Sequence, residues 1–171
     1  MGKMYEALQK AEKERIPELK TEPVRASLDY SVLDDKLVAF FQYGSIVAEQ
    51  FRKLRTHLLR SALENKPKTI LVTSSLSGDG KTLTAINLAI TIAVELHSHA
   101  MLVDCDLRNP TLSKWFGMTE AKGLSDYLLG YEDLPDLLVK TQIDKLTLLT
   151  GGSTQDNPVE LIASKRMETL V

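Results

Sequence analysis

Two apolar runs and the helical stretch between them dominate the hydropathy pattern of this chain. Thr69-Ile70-Leu71-Val72-Thr73 predicts a strand over 69–74, the pattern after it a helix over 82–96, and Ala100-Met101-Leu102-Val103-Asp104-Cys105 a second strand over 100–105. Neither strand alternates apolar with polar residues, as expected where helices cover both faces of a parallel sheet. Strand, helix and strand then predict a right-handed parallel βαβ unit. Upstream, Val47, Phe51, Leu54 and Leu58 recur at steps of four, three and four, so a helix over 45–63 should turn that stripe to the core. Glu49, Arg52 and Arg55 fall on its flank and opposite face. Downstream the pattern predicts short helices over 125–129 and 134–139 and a third strand over 146–150. A helix from Pro158 to Ile162 and the start of another at the end of the chain follow. Residues 3–15 read as a weakly amphipathic helix carrying Met4, Leu8 and Ala11. Residues 16–43, with Pro17 and Pro23, read as a linker or wrapped arm. The expected class is α/β: a parallel sheet flanked by helices, with an N-terminal helical arm over 1–44 and the main domain over 45–171.

Composition narrows the picture only a little. A chain of 171 residues, 43% apolar and 26% charged, suits one globular domain. Its net charge of −2 argues against general nucleic-acid binding. The single cysteine, Cys105, rules out an intramolecular disulfide and is expected as a small buried hydrophobe inside its strand, fitting a reducing cytoplasm. The N-terminus lacks the apolar core of a secretory signal, and 83–96 is too short and too interrupted, by Asn87 and Glu95, to span a membrane. Met1-Gly2 lacks the Ser or Thr that myristoylation needs, since Glu6 stands there. His57, His97 and His99 show no metal-ligand spacing, and Trp115 and Phe116 read as core or interface anchors.

The chemistry is concentrated in Ser75-Leu76-Ser77-Gly78-Asp79-Gly80-Lys81-Thr82, between the first strand and its helix. Glycines at 78 and 80 permit positive φ and close approach of backbone to an anion, and the helix N-terminus favours negative charge. Lys81 would reach outer phosphates, and the Thr82 hydroxyl would hold Mg²⁺. Ser75 replaces the first glycine of the strict phosphate-loop pattern. One helix later, Asp104 and Asp106 stand at the C-terminal end of a strand, on the edge where parallel α/β sheets bind ligands. Two apart, they share a face and could both turn toward one metal-bound phosphate.

With these motifs placed, the sequence resembles the bacterial tyrosine kinases (BY-kinases) of capsule and exopolysaccharide synthesis, which share the P-loop fold of the MinD and ParA ATPases. The resemblance rests on Glu49-x-x-Arg52-x-x-Arg55, on Gly78 to Thr82, and on Asp104-x-Asp106-x-Arg108. It continues through Asn109-Pro110-Thr111-Leu112, Phe116-Gly117, Gly123 to Leu128, and Gly151 to Ile162. The opening, Met4 to Glu12, looks like the stand-alone kinases of exosortase-associated loci. The resemblance implies transfer of the ATP γ-phosphoryl group to tyrosine, with ATP and Mg²⁺ as cofactors. Ser77, Gly78, Asp79, Gly80, Lys81, Thr82 and Leu83 would bind nucleotide. Thr82, Asp104 and Asp106 would serve the metal, and Lys81, Asp104 and Asp106 catalysis, with either aspartate accepting the tyrosine proton. It implies a ring of subunits joined through Glu49, Arg52 and Arg55, a membrane-bound polysaccharide co-polymerase or activator as partner, and no nucleic acid. The place would be the cytoplasm, at the inner membrane through that partner. It also leads us to expect, beyond Val171, an apolar strand ending in aspartate and a tyrosine cluster, and a sheet left incomplete without them. Ser77 stands where the family usually has proline.

Two other readings compete. A MinD/ParA-type ATPase switch would carry a signature lysine where Leu76 stands, and an apolar side chain cannot contact a partner's phosphate. A non-enzymatic nucleotide-binding fragment that assembles with longer copies would be told apart by its lack of phosphotyrosine.

Overall fold

The computed structural model describes residues 37–60, 69–94, 99–118, 122–141 and 143–171. The expected helix over 3–15, residues 16–36 of the arm, and His97 lie outside the described residues. In chain order the elements are α1 (Val38–Phe41), α2 (Ile46–Arg60), α3 (Lys81–Ala93), β1 (Ala100–Val103), α4 (Leu112–Trp115), α5 (Leu124–Leu129), α6 (Leu134–Leu137), β2 (Val139–Lys140), β3 (Leu146–Leu149), α7 (Pro158–Ile162) and α8 (Lys165–Leu170).

The small sheet runs β1-β3-β2. β1 lies parallel to β3, with Ala100 opposite Leu146 and Val103 opposite Leu149. β2 is antiparallel, with Val139 opposite Leu148. Side chains alternate across a strand, and β3 uses the alternation to build two cores. Leu146 and Leu148 join Ile86, Ala89, Ile90 and Phe116 on the α3 side. Leu149 joins Leu107, Leu124, Leu128, Leu137 and Leu161 on the other. Burying a leucine contributes roughly 1.5–3 kcal/mol, so β3, with three buried leucines, is the spine of the molecule.

The end of the expected arm is held firmly. Leu37 and Ala39 are buried, and the Asn87 side chain on α3 ties them down. Its Oδ1 accepts the Ala39 N–H at 2.9 Å while its Nδ2 donates to the Leu83 carbonyl. The polar residue that interrupts the apolar stretch of α3 is thus a satisfied buried amide.

Four expectations need correction. Residues 69–74 form no strand: their backbone exchanges no hydrogen bonds with other described backbone, and Ile70 and Leu71 are exposed. A strand exists only through a neighbour, and none lies beside this segment among the described residues. The parallel pair is therefore β1 with β3. Second, only half of the stripe on α2 turns inward: Phe51 and Leu58 are half-buried, but Val47 and Leu54 are not. Val47 is 52% and Leu54 39% exposed, whereas Ala48 is buried. Small Ala48 lets α2 approach its neighbours, and the half-buried Arg52 and Arg55 share its side of the helix. Third, Cys105 lies beyond β1 and is exposed, because the chain turns at Asp104. Fourth, the helix expected over 134–139 stops at Leu137, since Val139 and Lys140 pair with β3.

Candidate functional site

The segment before α3 has the turn geometry its glycines allow. Gly78 and Gly80 take φ of 85° and 89°, and a Cβ on either would meet nothing within 4 Å. Gly80 is the N-cap of α3, and no side chain caps the helix. The first helical bond at this end runs from the Thr84 N–H to the Gly80 carbonyl. The N–H groups of Lys81, Thr82 and Leu83 precede it and lack an intrahelical acceptor, as the first N–H groups of any helix do. They carry the positive end of the dipole.

The loop is braced by its own polar groups. Asp79 Oδ2 accepts the Leu76 N–H at 3.2 Å, and Ser74 Oγ donates to the Leu76 carbonyl. Lys81 Nζ donates to Ser74 Oγ at 3.3 Å and to the Leu76 carbonyl at 3.2 Å, which leaves one of its three N–H groups for an anion. Ser77 is exposed, and Leu83 is half-buried.

The second carboxylate motif is organised by Asp104. Its N–H extends the ladder to the Leu149 carbonyl. Its Oδ1 accepts the Asp106 N–H at 3.1 Å, a local turn typical of aspartate. Its Oδ2 accepts the N–H groups of both Thr111 and Leu112 at 2.9 Å, capping α4 from seven and eight residues away. Asp106 Oδ1 accepts the Asn109 N–H at 3.1 Å, and its exposed carboxylate keeps Oδ2 for other partners. Leu107, buried, anchors the loop from below. Between the aspartates, Cys105 has a thiol pKa raised by desolvation and then by the Asp104 charge.

Two hydroxyls join the segments: Thr82 Oγ1 and Thr111 Oγ1 are 3.4 Å apart. In the sequence Thr111 stands out only as part of Asn109-Pro110-Thr111-Leu112. Its position follows from the Asp104 cap, which no local pattern announces. Glu49, Arg52 and Arg55 sit elsewhere, on α2. Glu49 Oε2 accepts from Arg52 Nε and Nη2, at 2.9 and 2.6 Å. Arg52 also donates to the Tyr43 carbonyl at 2.7 Å and lies over the Tyr43 ring. Arg55 donates to the Thr91 carbonyl on α3. The hydrogen bond from Arg52, and then its charge, hold the Glu49 carboxyl below its ordinary range.

The donors fit a magnesium nucleotide better than a free metal. Among the described residues no three His, Cys, Asp or Glu side chains converge on a metal position. Mg²⁺ typically takes one or two protein oxygens beside phosphates and water. The Thr82 hydroxyl, at the N-terminus of α3, and Asp106 Oδ2 could serve as such oxygens. No described helix is long and apolar enough to cross a membrane.

No protein-family profile matches the chain. It is 31% identical over 140 residues to the tyrosine-protein kinase YwqD of Bacillus subtilis (strain 168), an alignment covering 82% of this chain and 59% of that protein. Its fold superposes on the chimerical protein CapA2B2 with a TM-score of 0.73 at 31% identity, over 86% of this chain and 62% of that one. The kinase domain of the Escherichia coli tyrosine kinase ETK gives a TM-score of 0.73 at 26% identity, over 93% and 65%. The chain therefore spans about three-fifths of the length of these relatives. Shared sequence and a shared mixed α/β fold make it a homologue of the bacterial tyrosine kinases.

Proposed function

We propose that residues 75–83 form the phosphate loop of a P-loop nucleotide site, and that the protein is a tyrosine autokinase acting in exopolysaccharide or capsule synthesis. The observation that carries this is the uncapped N-terminus of α3 behind Gly78 and Gly80, with Lys81 and Thr82 leading the helix and Thr82 beside Thr111. In this reading the N–H groups of Gly78, Asp79, Gly80 and the first turn of α3 bind phosphate oxygens. Lys81 neutralises the outer phosphates, with Ser77 and Leu83 framing the loop. Mg²⁺, held by Thr82 and Asp106, supplies charge neutralisation at the transferring group. Asp104, engaged by three backbone N–H groups, shapes the metal side of the site. Leu76 is 67% exposed and offers no cation to a facing subunit, which favours the kinase over a MinD/ParA-type switch.

The proposal extends to organisation. Residues 1–44 serve as an arm on a kinase domain that begins at 45. Subunits assemble through α2, and the protein works in the cytoplasm beside a membrane-bound polysaccharide co-polymerase. The test is a phosphotyrosine immunoblot of the purified protein, extended to the full length of its relatives, with Mg-ATP. Phosphotyrosine should form and vanish in Lys81→Met, whose ATP affinity should fall roughly tenfold or more. Equal signal and affinity in the two proteins would overturn the phosphate-loop assignment.

A further inference from the structure

A hydroxyl that ligates a cation gives the cation a lone pair and keeps its proton. In a partly buried site that proton needs an acceptor. Thr82 is half-buried, and its Oγ1 has one hydrogen-bond partner among the described residues, Thr111 Oγ1 at 3.4 Å. Thr111 is half-buried too and built into place. Its N–H is fixed on Asp104 Oδ2 at 2.9 Å, the next N–H shares that oxygen, and Leu112 is buried in the α3-side core. Asp104 in turn is held on β3 through its N–H. An unbroken chain of contacts therefore runs from the sheet, through a carboxylate, to a hydroxyl facing Thr82. The 3.4 Å separation exceeds the roughly 2.5–3.0 Å of a full hydroxyl pair, and hydrogen bonds at reactive sites commonly tighten when ligand arrives.

We infer that Thr111 is a positioning residue for the metal: its hydroxyl oxygen accepts a hydrogen bond from the Thr82 hydroxyl and so aims the Thr82 lone pair at Mg²⁺. This rests on the phosphate-loop reading of residues 75–83. It also gives Asp104 a definite task, holding Thr111, distinct from that of Asp106.

Calorimetric titration of the protein with ADP, in EDTA and again in excess Mg²⁺, tests the inference without turnover. The parent should bind ADP more tightly with Mg²⁺ than without. Thr111→Val, which keeps the shape and removes the hydroxyl, should lose about three- to tenfold of that gain, the worth of one hydrogen bond. Its affinity in EDTA should match the parent's, and Thr111→Ser should restore the gain. An equal Mg²⁺ gain in parent and Thr111→Val would overturn the inference and leave the phosphate loop intact. So would a Thr111→Val affinity that falls as much in EDTA as in Mg²⁺, since the side chain would then serve only the fold. A parent that gains nothing from Mg²⁺, or does not bind ADP, would overturn the phosphate-loop reading and this inference with it.

Discussion

Arg55 on α2 donates to the Thr91 carbonyl on α3 at 2.8 Å, tying the helix ahead of the 75–83 loop to the helix behind it. A charged donor on a backbone carbonyl contributes about 1.5–3 kcal/mol when well sheltered, and partial exposure discounts that. Arg55→Met should therefore lower unfolding stability by about 1 kcal/mol. Urea denaturation would report this as a lower midpoint at an unchanged slope.

If α2 also joins subunits, Glu49 is the cleaner probe, because Arg52 and Arg55 both serve their own chain. The Glu49 side chain is 48% exposed, and a surface ion pair adds little to stability. Glu49→Arg should leave the thermal midpoint nearly unchanged. By placing like charges across an interface, it should disperse the assembly. Light scattering should then give a multiple of the chain mass for the parent and a single mass for the variant. Equal masses would take α2 out of the interface.

The same pair carries a pH signature. Arg52 lowers the Glu49 pKa below the ordinary 4.5, first by hydrogen bonding and then by charge. A depressed carboxyl lends its stability above the ordinary value and loses it as pH falls through the lower, folded one. Carbon-detected NMR should place the Glu49 midpoint below 4.5, and Arg52→Gln should move it upward. A midpoint unmoved by Arg52→Gln would show that Arg52 is not what depresses it.

The two aspartates should separate by stability. Asp104→Asn removes the charge from a carboxylate that accepts three backbone N–H groups, a change worth about 1–3 kcal/mol. Asp106→Asn keeps Oδ1 for Asn109 and should stay within about 0.5 kcal/mol of the parent. In protein extended to the length of its relatives, both should depress autophosphorylation. Unfolding curves that rank the pair the other way would show that Asp104 is not the scaffold.

Gly151 lies directly behind the carboxylate loop. A Cβ there would stand 2.5 Å from Pro110 Cβ and 3.4 Å from the Asp104 carbonyl oxygen. Gly151→Ala should destabilise the fold by about 1–3 kcal/mol through overpacking and shift the amide resonances of 104–112. Gly78→Ala meets no atom within 4 Å but keeps φ at +85°, so its cost should be the smaller one of backbone strain, about 1 kcal/mol. Resonances of 104–112 unmoved by Gly151→Ala would mean that Pro110 yields freely.

Much of the fold was legible where the signal is local. α3, β1, β3 and α7 form within a few residues of the expected bounds, because continuous apolar runs and helix starts act over short range. Residues 69–74 carry a strand's composition without a strand, since pairing depends on a neighbour and composition does not supply one. On α2 the stripe was half right: Phe51 and Leu58 are half-buried, whereas Val47 and Leu54 are exposed. Long arginine stems pack beside protein while their heads find carbonyls, so Arg52 and Arg55 could share the side of Ala48. In the candidate site the glycines, Lys81, Thr82 and the aspartate pair were visible as a motif. The division of labour between Asp104 and Asp106 was not, because it depends on which N–H groups the turn at 107–112 brings back.

The register of β1 against β3 sets which of its side chains meets each core. Leu146 and Leu148 face one core and Leu149 the other, with Thr147 half-buried between them. Slipping β1 by one residue against β3 would turn its side chains to opposite faces. Val103 would trade sides with Leu102, and Cys105 would arrive where the Asp104 carboxylate now receives Thr111 and Leu112. All four β1 residues are apolar, so the penalty would fall on the turn, where a thiol cannot replace the carboxylate that holds both N–H groups. The register behind the candidate site is thus guarded by a single side chain at the end of the strand.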